Sequence, residues 1–359
     1  MRNNNPLISI LKKTYYPPFE IQLLQKAEIA PLIEARKAWA QWRNLDRLDD
    51  ISWQEQKILA RMFRRISELD STYKHLPRII GFMKSEWARS QVNLKASLVG
   101  VDLLLEHDFK LMLFKGLAWE ESQGAKGIRL SGDLDILVPK KDFINALKLL
   151  EENNWSTEDD TSWQKYGIIP KYIHALNYTH NNGGNIDLHY RPLHTNPREG
   201  YLDELWKRSH QGIFMGRSMY FCSNADYSAL LIAHSVGGIK ELMSSIWPGD
   251  FHRIIKKLDA HSITDFRSII LKIDKSLECE LALSYCEDIL CSYNVRRFSR
   301  QIDPFKISIQ NLLHAIFTSP MAYQRGTLFW LFAGSFRFLS RQTYKVINVF
   351  LYAWSSIKN

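Results

Sequence analysis

The sequence predicts an α+β fold, with a small mixed β-sheet held between an N-terminal and a C-terminal helical region. Three observations carry that expectation. Residues 21–105 repeat apolar positions at helical spacing, the middle of the chain alternates short β-type runs with turns, and the chain after Tyr201 returns to helical patterns. The expected division is 1–105, an irregular arm and helices; 106–200, the sheet-bearing core; and 201–359, helices and a tail.

In the first region, Ser52-Trp53-Gln54-Glu55 forms a capping box. Ile58, Leu59, Met62, Phe63, Ile66 and Leu69 follow at helical spacing, and a long helix runs from Arg78 through Leu94, Leu98, Val101 and Leu104. In the core, a short strand Leu111–Phe114 leads into a helix starting near Gly116. A loop with Gly124, Gly127 and Arg129 then brings the chain to strand Asp133–Val138, which Pro139 ends. An amphipathic helix follows through Phe143, Ala146, Leu147 and Leu150. Asn181-Asn182-Gly183-Gly184 joins strands Tyr172–His180 and Asn185–Tyr190 as a hairpin. In the last region, helices are expected over Ser228–Glu241, around Trp247, Asp250 and Arg253, and over Asp265–Leu290.

Composition narrows the function. With 45% hydrophobic and 24% charged residues, 359 residues suit two or three folded domains and exclude a disordered chain. A net charge of +9 points to an anionic partner: nucleotide, nucleic acid or membrane surface. The basic residues are scattered, with no recognition-helix or RNA-module motif, which argues against nucleic acid. Cys222, Cys279, Cys286 and Cys291 include no Cys-x-x-Cys pair and read as buried thiols in a reducing compartment. The N-terminus lacks the apolar core of a signal peptide, and no uncharged apolar run reaches the ~20 residues of a spanning helix. A cytoplasmic location is expected.

The chemistry concentrates in two stretches. Asp133 and Asp135 lie two apart in a β-type run, so their carboxylates face one way. Carboxylates held so close raise each other's pKa unless a cation lies between them, and Mg²⁺ is the usual resident. Asn185–Tyr190 repeats the arrangement with Asp187 and His189 on one face, so a third carboxylate on a neighbouring strand would complete a metal site. Lone Asp-x-Asp pairs often mark nothing more than an exposed sheet face. Here the pair is read together with Lys115-Gly116 upstream, Arg129 just before it and Asp187 after it.

That order of Lys115-Gly116, Arg129-x-x-Gly132-Asp133-x-Asp135 and Ile186-Asp187-Leu188-His189 resembles the DNA polymerase β-type nucleotidyltransferase superfamily, and within it a branch of bacterial nucleotidyltransferases. The likeness runs over about Ile51 to Leu290. One departure is Lys115-Gly116-Leu117, where the wider superfamily opens with Gly-Ser or Gly-Gly. The resemblance implies Mg²⁺, or Mn²⁺ in its place, held by Asp133, Asp135 and Asp187, with Asp187 as general base. It also implies an NTP such as ATP contacted by Lys115, Gly116, Arg129, Gly132 and His189. A nucleoside monophosphate would pass to a hydroxyl or phosphate on an acceptor, and the branch's association with peptide and polysaccharide tailoring points to a peptide, protein or saccharide. Two other readings stand beside it: sugar transfer from a nucleotide-sugar, and a non-catalytic nucleotide-binding scaffold. His174, His180, His234, Trp247 and Asp250 are expected to knit elements together. From Pro304 to Asn359 there is no Asp or Glu, only cations among aromatic and aliphatic residues. That tail reads as a helical cover, or as a contact with an anionic membrane that would make the protein peripheral to its inner face.

Overall fold

Helices open the described chain. The computed structural model describes residues 16–118, 133–157, 173–193, 197–235, 246–290 and 293–301. Helices α1 (Phe19–Ile29), α2 (Leu32–Arg43), α3 (Trp53–Arg61) and α4 (Phe63–Leu69) surround an apolar cluster built on Leu24, Trp39, Trp42, Ile58 and Ile66. The capping box is present in full. The Glu55 backbone N–H donates to Ser52 Oγ at 3.2 Å, and the Ser52 N–H donates to Glu55 Oε2 at 2.9 Å. Each half satisfies a donor that the helix start leaves without a partner.

Helix α5 (Leu76–Glu106) ties this cluster to the sheet. Its early residue Ile79 belongs to the N-terminal cluster, whereas Leu94, Leu98, Val101 and Leu104 enter the main core. Their spacing of three and four residues keeps one stripe on the sheet. Ser97 Oγ accepts from the Asn185 N–H at 2.8 Å and donates to the Asn185 carbonyl at 2.9 Å, which locks helix to strand. At Gly100 the approach is closest, because a Cβ there would lie 2.6 Å from Ile186 Cδ1 and 2.7 Å from Trp155 Cζ2. Gly100→Val should therefore destabilise the fold by about 1–3 kcal/mol, the usual cost of overpacking. A urea melt matching the wild type would contradict this packing.

The sheet has seven strands: β1 (Met112–Leu113), β2 (Leu134–Leu137), β3 (Trp155–Ser156), β4 (Ala175–His180), β5 (Asn185–His189), β6 (His210–Phe214) and β7 (Arg217–Phe221). Their spatial order is β3-β4-β5-β2-β1-β7-β6. β2 runs parallel to β5 and β1 parallel to β7, while the remaining neighbours are antiparallel. The expected 181–184 hairpin is formed, its turn closed by the Gly183 N–H donating to the His180 carbonyl at 2.8 Å. One part of the expectation fails. Residues 210–221 fall in the region read as helical, yet they form the β6–β7 hairpin and extend the sheet beyond β1. The hairpin turns locally at Met215-Gly216, but the Met112–Tyr220 pairing that recruits it to the sheet spans the whole core.

Helix α6 (Phe143–Glu152) buries Phe143, Ala146, Leu147 and Leu150. After the short α7 (Tyr201–Arg208), helices α8 (Asn224–Ser235), α9 (Trp247–Ile254), α10 (Ala260–Lys272) and α11 (Ser276–Asp288) pack into the same core, with α12 (Tyr293–Gln301) beyond them. Cys222, Cys279 and Cys286 are buried, as expected. No helix among the described residues is long and apolar enough to cross a membrane. The acid-free tail lies outside the described residues.

Candidate active site

The site grows out of three neighbouring strands, β5-β2-β1, at the middle of the sheet. In the parallel register of β2 and β5, Asp135 stands opposite Asp187 and Leu137 opposite His189. Partners across a sheet point to the same face, so the two carboxylates meet there. On the other side of β2, the chain leaves β1 at Phe114, whose N–H donates to the Asp135 carbonyl at 3.3 Å. Lys115 follows at once and reaches back over the same face.

The side chains converge tightly. Lys115 Nζ donates to Asp135 Oδ1 at 2.5 Å and lies 3.7 Å from Asp187 Oδ2. His189 Nε2 is 2.8 Å from Asp187 Oδ2, 3.3 Å from Asp135 Oδ1 and 3.3 Å from Lys115 Nζ. One ligand atom each from Asp135, Asp187 and His189 lie within 4.8 Å of one another. Asp133 sits at the mouth of β2, just before the strand begins. Its residue surface is exposed, but desolvation of its carboxyl, and then the Asp135 charge, push its pKa upward against the pull of Lys115.

Desolvation pushes the Asp187 carboxyl upward as well. The His189 hydrogen bond, then the electrostatic pull of His189, Lys115 and His174, outweigh it and hold Asp187 at about 2. The sign of the linkage follows. A carboxyl depressed in the folded state stabilises the fold above its unfolded pKa of 3.8, and that stabilisation disappears as pH falls through about 2. Asp187→Asn should therefore be less stable than wild type at pH 6, with the gap shrinking by pH 2.5. Urea melts at both values would show a constant gap if this electrostatic cause were wrong.

Lys115 carries the backbone signature of a constrained residue. Its φ is 58°, a left-handed conformation unusual outside glycine. The hydroxyl of Tyr227, on α8, donates to the Lys115 carbonyl at 2.8 Å and holds it there. Sequence reasoning missed Tyr227. The only signal was its position seven residues before His234, which places both on one face of α8. His234 was expected to knit helices, but it also feels the charges of Lys115, His189 and Asp135. Burial foremost, then Lys115 and His189, lower its pKa to about 3.

The other expected residues separate. Gly116 is buried directly behind Lys115. Arg129 and Gly132 lie outside the described residues. Asp250 does its work elsewhere, in a buried ion-pair network with Arg61. Cavities of about 380 and 220 Å³ line residues 42–75 and the junction of α1 with α9, and neither touches this cluster.

The donor set suits a hard or borderline divalent cation: two carboxylate oxygens and an imidazole nitrogen converge, with a third carboxylate at the rim. The Lys115 ammonium beside all three donors shows that the locus favours positive charge.

A mixed sheet bearing two apposed carboxylates, beside a lysine held at a strand end, fits an enzyme that handles phosphate with the help of a metal ion. The family model described as uncharacterised nucleotidyltransferase matches residues 52–290, and the chain belongs to that family. No curated protein matches the chain.

Proposed function

We propose that the protein is a metal-dependent enzyme of the polymerase β type that moves a nucleoside monophosphate from an NTP to a hydroxyl or phosphate acceptor. The observation that carries this reading is the Asp135–Asp187 register across β2 and β5, with both carboxylates and His189 meeting over one face. Family membership supplies the reaction class.

The chain's own groups divide the work. Asp135 and Asp187 would hold the ion, and Asp133 at the strand mouth would join them. A bound divalent ion supplies Lewis-acid stabilisation of phosphate charge and lowers the pKa of an attacking hydroxyl. Asp187, expected as general base, is held at about 2 and is therefore a poor proton acceptor but a dependable anionic ligand. Lys115, already charged and fixed at the strand end by Tyr227, neutralises the departing phosphates once it releases Asp135. Gly116, Arg129 and Gly132 complete the phosphate contacts. In the transfer an acceptor oxygen bonds to the α-phosphorus, the bond from that phosphorus to the β-bridging oxygen breaks, and pyrophosphate leaves. A hydroxyl acceptor gives up its proton to solvent.

Lys115→Met should lower kcat/KM for the NTP by about 10–150-fold, the worth of one charge-assisted hydrogen bond of ~1.5–3 kcal/mol. Steady-state kinetics showing wild-type kcat/KM in that variant would remove the lysine from the phosphate site. The function itself is tested by incubating the full chain with each α-labelled NTP, Mg²⁺ or Mn²⁺, and candidate peptide, protein and saccharide acceptors. Label on an acceptor, with its mass raised by one nucleoside monophosphate, is the expected outcome. A hexose adduct formed from a nucleotide-sugar, with no nucleotide adduct, would replace this reading.

A further inference from the structure

We propose that His189 is itself a ligand of the ion, through Nε2, and that this makes the centre select a first-row transition ion such as Mn²⁺ over Mg²⁺. The inference rests on the metal-dependent reading above and deepens it by naming a nitrogen donor and the ion it favours.

The geometry is that of a ligand. Two donors about 2.1 Å from one octahedral ion, at right angles to each other, stand about 3 Å apart. His189 Nε2 is 2.8 Å from Asp187 Oδ2 and 3.3 Å from Asp135 Oδ1, so Nε2 stands from each carboxylate oxygen at about the spacing of neighbouring donors. The third polar neighbour of Nε2 is the Lys115 ammonium at 3.3 Å, which is itself a cation beside the same oxygens.

The imidazole is also built into place. His189 is 0% exposed and ends β5, where its carbonyl accepts from the Val138 N–H at 2.9 Å. The edge-on ring of Phe114 lies 4.7 Å away between centroids, and the His174 ring, also edge-on, 5.4 Å away. These contacts fix which nitrogen faces the carboxylates. The opposite atom, Nδ1, is buried and has no hydrogen-bond partner among the described residues. The polar contacts of this ring among the described residues lie at Nε2, on the side of the two aspartates and Lys115. Nitrogen donors raise affinity for first-row transition ions, while Mg²⁺ prefers an all-oxygen shell that keeps its waters.

Pulsed electron paramagnetic resonance on the full wild-type chain loaded with Mn²⁺ tests this without any variant. Modulation from a directly coordinated ¹⁴N is expected, and an all-oxygen manganese signal, or no bound manganese, would overturn the assignment. His189→Gln adds a second arm by titration with Mn²⁺ and Mg²⁺ separately. Loss of the nitrogen should weaken Mn²⁺ at least tenfold more than Mg²⁺; equal weakening of both would mean that the imidazole only orients Asp187. The two readings fail separately. Nucleotide transfer with an all-oxygen manganese shell sinks the ligand and spares the enzyme, whereas ¹⁴N coupling without NTP binding or transfer does the reverse.

Discussion

Asp135→Asn should abolish the proposed nucleotidyl transfer, lowering kcat by more than about 100-fold, while the protein stays folded. The magnitude follows from position. Replacing an outer partner of a metal ligand typically costs about 10–100-fold, and Asp135 is placed as a ligand itself, so its loss should exceed that range. The amide keeps the shape but loses the charge that faces Lys115 at 2.5 Å and Asp187 across the strand pair. Stability should change little, because the carboxylate's removal also relieves its repulsion with Asp133. Circular dichroism and a thermal melt read the fold, and single-turnover transfer reads the chemistry. Near-normal turnover with Asp135→Asn would leave the cluster without a catalytic role.

Arg61→Met unfolds the protein far more readily than any substitution at the site. Arg61 Nη2 donates to Glu28 Oε2 at 2.6 Å, and Nη1 donates to Asp250 Oδ1 at 2.8 Å and to the Ile246 carbonyl at 2.8 Å. All three charged side chains are at most 3% exposed. Removing the cation leaves two buried carboxylates short of their main partner, a loss of about 3–5 kcal/mol. At roughly 2–4 °C per kcal/mol, Tm should fall by on the order of 10 °C. The network joins α1 and α3 to α9, so the N-terminal helices should loosen from the core together. A Cβ at Gly249 would lie 2.5 Å from Arg61 Nη2, which shows how little room the guanidinium has. The triple variant Arg61→Met, Glu28→Gln, Asp250→Asn should recover most of the loss, since neutral amides cost less to bury than unpaired charges. If the single variant melts within 2 °C of wild type, the network does not hold the two regions together.

Part of the candidate site was legible because it is local. Asp135 and Asp187 each sit inside a short β-type run, and the Asn-Asn-Gly-Gly turn fixes the β4–β5 hairpin, whereas the parallel pairing that sets β5 beside β2 joins residues about fifty apart. The capping box at Ser52 and the long helix ending near Glu106 were readable for the same reason, since caps and apolar stripes are written in adjacent residues. What escaped depends on distant pairing. The β6–β7 hairpin joins the sheet through Met112–Tyr220, and Tyr227 meets Lys115 only after α8 has packed against the end of β1. Asp250 was expected to knit helices, and it does, but nothing near it in sequence names Arg61 as its partner. The left-handed backbone of Lys115 was equally hidden, since a lysine before a glycine gives no warning of positive φ.

The central claim is that acidic groups of β2 and β5 gather a divalent ion through which nucleotide is bound. Isothermal titration of a non-hydrolysable NTP analogue into the full chain, with Mn²⁺ or Mg²⁺ and then with chelator, tests it most directly. Binding that requires the ion and vanishes in Asp135→Asn is the predicted result; equal affinity with chelator present, in wild type and variant alike, would contradict it.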